Sequence, residues 1–336
     1  MSTAKKWTVI ATDGLDKDAE KEFNSDSNFV IKVIKETPAS ELATLAAEAD
    51  FLIIRSATKL AAKDFAALPK LKGVVRAGVG IDNVNLEDAK AAGVYVWNAP
   101  TGNFISTAEH TMALIFSLFR SIPQADAFAK AGKWAKKEIS SAGRQVSEKT
   151  LGLFGAGNIG SRVAKMAVGV GMKVVIADPY LKSPPFEGVR LVSFDELLNE
   201  SDVISIHTPF TPETKGKFNL DIFKKMKKGA FIVNAARGGI INEADLLVAL
   251  KEGLLSGAGL DVFEKEPFDT SDTVKALLAD PRVIATPHIA ASTQEAQKAV
   301  GIESAHKIKQ VVKAAQANDQ AQLPKYFAEG DFKKFL

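Results

Sequence analysis

Apolar residues along this chain gather into short, Val- and Ile-rich runs separated by polar, helix-forming stretches. In the first hundred residues the runs are WTVIATDG, FVIKVIK, FLIIRS, GVVRAG and VYVWNAP, which read as buried strands. Between several of them lie ELATLAAEAD, AAKDFAALPK and NLEDAKAAG, where Ala and Leu recur at helical spacing. Strands alternating with helices predict a parallel sheet covered by helices. A long helix is expected over NFISTAEHTMALIFSLFR, after the Pro100-Thr101-Gly102 punctuation, and residues 132–148 read as irregular. A second alternating series follows, with six strands in TLGLFG, KVVIAD, VISIHT, AFIVNA, GAGLDV and RVIATPH, enough for a complete doubly wound sheet. A helix from Thr293 to Ala315 closes the pattern, and LPKYFAEGDFKKFL reads as a surface tail or a short arm that touches a partner.

Composition narrows the classes of function. A chain of 336 residues is long enough for two domains, and 46% apolar with 25% charged residues is the make-up of a soluble globular protein. The net charge is +3, with Lys and Arg spread along the chain, which argues against a nucleic-acid face or a polybasic membrane patch. Small anionic ligands remain compatible, since they need only one or two local arginines. The absence of cysteine excludes disulfides, a thiolate nucleophile and a Cys-ligated zinc. The apolar run in residues 1–12 is too brief for a signal-peptide core, and MALIFSLF falls far short of the roughly 20 residues of a spanning helix. A cytoplasmic protein without a membrane partner is expected.

The first candidate site is a glycine loop. TLGLFGAGNIGSRVAKMA supplies Gly155-x-Gly157-x-x-Gly160 directly after an apolar strand and before a helical pattern. Gly155 permits the tight turn, Gly157 lets backbone approach a pyrophosphate, and Gly160 allows close helix–strand packing, with the helix N-terminus facing the phosphates. The next strand, KVVIADPY, ends in Asp178, an acid placed to accept hydrogen bonds from ribose hydroxyls and to repel a 2′-phosphate. Together they predict NAD rather than NADP.

In an open α/β sheet, ligands lie beyond the carboxyl ends of the strands. Arg237 stands at one such end, among Ala and Gly residues that leave room for a ligand. Asp261 and Glu266 follow the next strand, and His288 the one beyond, in ATPHIAAST. A His288–Glu266 pair is a sensible acid–base unit, because the carboxylate fixes one imidazole tautomer and stabilises the protonated ring. Arg237 is suited to a two-pronged grip on a substrate carboxylate. Of the other three histidines, His110 reads as packed or interfacial and His306 as surface. His207 is expected near the cofactor, in a structural or a ligand-shaping role. No HxH, HxxxH or HExxH occurs, so no metal site is expected.

These motifs carry a resemblance. LGLFGAGNIG with its later Asp, HTPFTPETKG, NAARGGIINEADLLVAL, LDVFEKEP and TPHIAASTQEAQ together resemble the D-isomer-specific 2-hydroxyacid dehydrogenases. IIRSATK, VVRAGVGIDNVN and NAPTGNFISTAEHTMAL are similar to the phosphoglycerate dehydrogenases within that family. The resemblance implies a Rossmann NAD-binding domain, residues 100–289, inserted into a flavodoxin-like substrate-binding domain made of 1–99 and 290–336, with the active site in the interdomain cleft. Both are doubly wound parallel-sheet α/β domains.

By the same resemblance the catalytic trio falls on Arg237, Glu266 and His288. Besides Gly155, Gly157, Gly160 and Asp178, cofactor contacts fall on Asn158, Ile159, Thr208, Pro209, Ala235, Ala236, Asp261 and the stretch from His288 to Ala290 and Ala291. Substrate contacts fall on Gly78 and Val79, with Asn103 nearby. Phosphate recognition falls on Arg55, Arg76 and Lys136 or Lys137, the lysines reaching across a dimer. Val79 stands where some relatives carry a hydroxyl residue, so a side-chain bond to NAD is not expected there. The implied reaction is oxidation of D-3-phosphoglycerate by NAD, the entry to serine synthesis, in a homodimer or homotetramer with the 103–120 helix in the dimer contact. A serine-binding C-terminal regulatory domain, present in long forms, is not expected. The nearest alternatives are another 2-hydroxy or 2-keto acid, such as hydroxypyruvate, glyoxylate or D-lactate, and a dinucleotide-sensing scaffold like the C-terminal-binding-protein corepressors. Arg55 within RSATK favours a phosphorylated acid.

Overall fold

The alternation of apolar runs and helices becomes two parallel sheets. The computed structural model describes residues 6–268 and 271–335. By its internal contacts the chain divides into one unit that runs to Asn103 and resumes at Ser292, and another formed by Phe104–Ala291. The first contains β1 (Trp7–Ala11), α1 (Lys17–Asn24), β2 (Phe29–Val33), α2 (Leu42–Leu45), β3 (Phe51–Ile54), α3 (Ala62–Ala67), β4 (Gly73–Arg76), α4 (Leu86–Ala91) and β5 (Tyr95–Asn98). The second opens with α5 (Phe104–Arg120), α6 (Ile122–Lys130), α7 (Lys136–Ala142), β6 (Thr150–Phe154), α8 (Asn158–Gly169), β7 (Lys173–Ala177) and β8 (Val189–Leu191). It continues through α9 (Phe194–Glu200), β9 (Val203–Ile206), α10 (Leu220–Lys225), β10 (Ala230–Asn234), α11 (Glu243–Lys251), β11 (Leu255–Leu260), α12 (Asp272–Ala279) and β12 (Val283–Ala285). The chain returns to the first unit as α13 (Gln294–Gln316).

The smaller unit's five strands lie in the order β2-β1-β3-β4-β5, all parallel, which is the flavodoxin-like order with its switch point between β1 and β3. Period-two alternation divides its core into two layers. Val9, Phe51, Ile53, Val75, Tyr95 and Trp97 pack with Val300, Ile308 and Val312 of α13. Ile10, Leu52, Ile54, Val74 and Val96 point the other way, onto Leu42, Phe65 and Ala89 of α2, α3 and α4. Two elements differ from expectation. Helix α1 is additional: in the largely charged KDAEKEFN only Ala19 and Phe23 are buried, one turn apart on the same face; Asp16 caps it by accepting the Asp18 amide.

The closing segment is not a surface tail. Trp97 Nε1 donates to the Pro324 carbonyl at 3.1 Å, and Phe327 and Ala328 exchange backbone bonds with Val96. Phe335 is buried and stacks on Phe51 with ring centroids 5.9 Å apart. The reason is physical: β5 is an edge strand whose backbone groups need partners, which the Phe327 amide and Ala328 carbonyl supply, while Tyr326 and Phe335 pack on the Tyr95 ring.

The larger unit's seven strands run β12-β11-β10-β9-β6-β7-β8, again all parallel. The chain winds outward from β6 to β8, then restarts at β9 on the other side, so the switch point lies between β6 and β9. Six strands were expected here; the seventh, β8, is a three-residue edge strand with Arg190 at its centre. The stretch read as irregular contains α7, and α6 precedes it. Among the described residues no helix is long and apolar enough to cross a membrane.

Candidate active site

The loop from β6 into α8 follows from its glycines. Gly155 has φ +89°, and a Cβ there would meet the Thr208 methyl at 2.8 Å and the His207 carbonyl at 3.0 Å, so the β6 and β9 loops touch through it. Gly160 is equally confined: a Cβ there would lie 2.6 Å from the Gly155 carbonyl oxygen. Gly157 is different: a Cβ there meets nothing within 4 Å. No side chain caps α8, and its first turn carries no acid, so the amides of Asn158, Ile159 and Gly160 have no intrahelical acceptor and face an undiminished dipole. Asp178 draws the loop to β7, accepting the Ala156 amide at 2.8 Å on Oδ2 and the Tyr180 amide at 2.9 Å on Oδ1. From β9, the buried Thr208 hydroxyl has no partner among the described residues. Burial pushes the His207 imidazole pKa down to about 4, and its Nε2 lies 3.0 Å from the Ser205 hydroxyl. Pro209 is exposed beside it, its carbonyl accepting from Thr214.

Three further loops of the same unit carry charge. After β10, Ala235 is buried, the Ala236 amide donates to Asn234, and Arg237 Nη1 donates to the Ala236 carbonyl at 2.6 Å. Gly238 lets this loop close on the one after β11, since a Cβ there would lie 1.7 Å from the Phe263 carbonyl. That second loop carries Glu266, whose Oε1 accepts the Phe263 amide at 3.1 Å. Its Oε2 lies 2.6 Å from His288 Nδ1. Partial burial alone would raise the Glu266 carboxyl, but the His288 bond and the Phe263 amide hold it below its ordinary value. With Nδ1–H committed to the carboxylate, Nε2 is the basic nitrogen of the exposed ring.

His288 also has a left-handed backbone, φ 54°. That conformation costs a non-glycine residue roughly 1–3 kcal/mol and persists only where neighbours impose it. Here the His288 amide donates to the Asp261 carbonyl at 2.8 Å. The Asp261 side chain, fully buried, accepts the Thr286 hydroxyl at 2.6 Å, the Ile289 amide at 2.8 Å and the Ala290 amide at 2.9 Å. Burial would raise this carboxyl; the donors, His110 among them, outweigh it and lower the pKa. Asp261, expected at the cofactor, thus anchors the loop from Thr286 to Ala290, with Ala291 next along.

In the smaller unit, Arg55 lines a cavity of about 230 Å³ with Gly14, Leu15, Asp16, Ala77 and Val300, beside the β1/β3 switch point. Among the described residues its guanidinium makes no hydrogen bond or ion pair; burial lowers its pKa and the Asp13 carboxylate opposes that. Asp13 is occupied elsewhere, accepting the Arg55 amide at 2.7 Å, the Thr58 amide at 3.1 Å and the Thr58 hydroxyl at 2.6 Å. Arg76 ends β4, and its guanidinium fills the space that a Cβ on Gly78, φ +144°, would need. The Val79 carbonyl accepts from Asn98, and Asn103 is buried just before α5. Lys136 is exposed in the first turn of α7.

Residues 112–290 match the family described as D-isomer specific 2-hydroxyacid dehydrogenase, NAD binding domain. The chain belongs to the D-2-hydroxyacid dehydrogenases. It is 45% identical over 277 residues to the D-3-phosphoglycerate dehydrogenase of Bacillus subtilis, a match covering 82% of this chain and 52% of the relative. It is 42% identical over 303 residues to the hydroxypyruvate reductase of Thermotoga maritima, covering 90% and 97%. The D-lactate dehydrogenase of Aquifex aeolicus, solved with NAD and lactic acid, superposes with a TM-score of 0.79 at 31% identity, covering 95% and 98%. The chain spans about half the length of the first phosphoglycerate dehydrogenases it matches.

The residues present fit the dinucleotide this dehydrogenase family binds. The open space at Gly157, the uncapped α8 and the unpartnered Thr208 hydroxyl are what a phosphate-bearing ligand needs, and each Asp178 oxygen keeps acceptor capacity for a ribose hydroxyl. Sequence reasoning passed over Gly238, Thr286 and the place of His110, whose Nε2 lies 3.0 Å from the Thr286 hydroxyl across 176 residues of chain. A glycine within ARGG was the only available signal.

Proposed function

We propose that this chain is an NAD-dependent D-2-hydroxyacid dehydrogenase whose substrate is D-3-phosphoglycerate, oxidised to 3-phosphohydroxypyruvate. The observation that carries the substrate reading is Arg55, a largely desolvated cation whose guanidinium makes no hydrogen bond or ion pair among the described residues and lines a cavity at a sheet switch point. A phosphate taken out of water calls for such a group. The phosphoglycerate dehydrogenases among its relatives support the same substrate.

In this reading His288 Nε2 accepts the proton of the C2 hydroxyl while Nδ1–H stays on Glu266, whose carboxylate balances the imidazolium. Arg237 holds the substrate carboxylate and the C2 oxygen. Bound NAD supplies the acceptor for the C2 hydride. The Gly155–Gly160 loop, Asp178, Thr208 and Pro209 hold that cofactor, with Ala235, Ala236, Ala290 and Ala291 leaving it room. Arg76, Gly78, Val79 and Asn103 recognise the acid, and Lys136 of a second copy assists at the phosphate across the dimer. We also propose a homodimer or homotetramer joined through α5, where Ile105 and Phe116 share one exposed face, with Ile122 and Trp134 exposed further on.

A second reading, reduction of hydroxypyruvate, is favoured by one observation: the Thermotoga reductase is matched over 97% of its length. The deciding experiment follows NADH oxidation with 3-phosphohydroxypyruvate, hydroxypyruvate, glyoxylate and pyruvate. The highest kcat/KM is expected for the phosphorylated acid, with His288→Ala lowering kcat by about 10²–10⁴-fold. A preference for hydroxypyruvate replaces the substrate. Tight NADH binding without turnover of any acid replaces the enzyme with a sensor.

A further inference from the structure

We propose that His110 is a positioning residue for His288, acting from α5 through Thr286 and Asp261; this rests on the reading of His288 as the acid–base group. Proton accounting fixes the direction of the chain of bonds. Thr286 has one hydroxyl hydrogen, and its 2.6 Å contact with the Asp261 carboxylate claims it. The Thr286 oxygen can then only accept from His110, so His110 Nε2 carries a hydrogen and donates at 3.0 Å. The same nitrogen lies 3.5 Å from Asp261 Oδ1. Donor, hydroxyl and carboxylate thus form one line from a packed helix to the loop that bears His288.

Two features make that line matter. Asp261 is fully buried and binds both sides of His288, through Thr286 before it and the Ile289 and Ala290 amides after it. His288 itself sits at φ 54°, a backbone state that holds only while those bonds hold it. The origin of the His110 side chain is fixed too, because its helix neighbours Thr107, Thr111 and Leu114 are buried. Loss of the His110 donor frees the Thr286 hydroxyl to turn, loosens the pinned loop, and lets the His288 ring wander from its place over Glu266.

The test compares His110→Leu, which removes the donor, with His110→Gln, whose side-chain amide can reach Thr286, and with Thr286→Val. In the leucine and valine variants kcat is expected to fall about ten- to a hundredfold, with KM for the 2-keto acid within about threefold of wild type, as displacement of a reacting group predicts. The double variant falls no further than either single one, because both break the same line. Hydrogen exchange at the Ile289 and Ala290 amides speeds up in His110→Leu, and His110→Gln restores both readouts. Wild-type kcat with protected amides in His110→Leu overturns the proposal, as does equal loss in the leucine and glutamine variants. If no 2-keto acid is reduced even by wild type, the enzyme reading falls and amide exchange alone decides: loss in leucine with recovery in glutamine supports the positioning role, and unchanged protection in leucine overturns it.

Discussion

Each sheet reverses its strand order once, and the helix beside each reversal ends differently. At β6/β9, α8 begins at Gly157 with no side-chain cap and no acid in its first turn. At β1/β3, α1 begins at Asp16, which accepts the Asp18 amide, and Asp18 and Glu20 stand in the first turn. The dipole of α8 is therefore available to an anion, whereas that of α1 is already met by the chain's own carboxylates. In the smaller unit positive charge is supplied by a side chain, Arg55, and in the larger by backbone amides. Sheet topology marks where a ligand lies; the cap decides what the ligand meets.

The sharpest way to break this contrast is at the two glycines of the α8 loop, which sequence alone cannot distinguish. A side chain at Gly157 meets nothing within 4 Å, while one at Gly160 lies 2.6 Å from a carbonyl oxygen. Gly157→Val is expected to leave thermal stability nearly unchanged and to weaken NADH binding about a hundred- to a thousandfold, roughly 3–4 kcal/mol. Gly160→Ala does the reverse in kind, costing about 1–3 kcal/mol of stability through forced overlap. NADH fluorescence titration and thermal unfolding read the two effects. Normal NADH affinity in Gly157→Val would mean that amides are not the phosphate-binding element.

The next effect separates a neutral crevice from a charged one. His207 stays uncharged down to about pH 4 because burial disfavours the imidazolium, whereas in the unfolded chain it protonates near 6.5. Between those values the unfolded state binds the extra proton, so stability is full above pH 6.5, falls as pH drops towards 4, and is flat below. At about 1.4 kcal/mol per pH unit the loss is about 3 kcal/mol. Urea unfolding of wild type and His207→Gln at pH 7.5, 5.5 and 4.5 measures it. An equal slope in both proteins would show that His207 is not held neutral.

How much of this was legible follows the same division. The α8 loop could be read because glycine spacing, a preceding apolar run and a following helical pattern are all local. The strand exits bearing Arg237, Glu266 and His288 could be read because apolar strands announce their own ends. Helix α1 was missed because its apolar stripe is only two residues, Ala19 and Phe23 at i and i+4, within an otherwise charged segment; β8 is three residues centred on an arginine. The closing segment was misread because its aromatics are justified only by the edge of β5, more than two hundred residues earlier in the chain. The His110–Thr286 contact is equally non-local, and no spacing rule joins a helix histidine to a threonine 176 positions away.

The smallest expected effect probes the side-chain half of the comparison. The loop carrying Arg55 is fixed by its backbone: Asp13 accepts the Arg55 and Thr58 amides, and Asn83 donates to the Arg55 and Thr58 carbonyls. The guanidinium takes no part in that scaffold, so its removal leaves the loop in place and acts on the ligand alone. Arg55→Ala is expected to raise KM for 3-phosphohydroxypyruvate about thirtyfold, roughly 2 kcal/mol, and KM for hydroxypyruvate less than about threefold. Arg55→Lys recovers only part of the difference, because an ammonium keeps the charge but loses the two-pronged geometry. Steady-state kinetics with both acids reads the ratio. An equal rise for the two substrates transfers Arg55 from the phosphate to the carboxylate they share, and the phosphorylated substrate then loses its main support in the smaller unit.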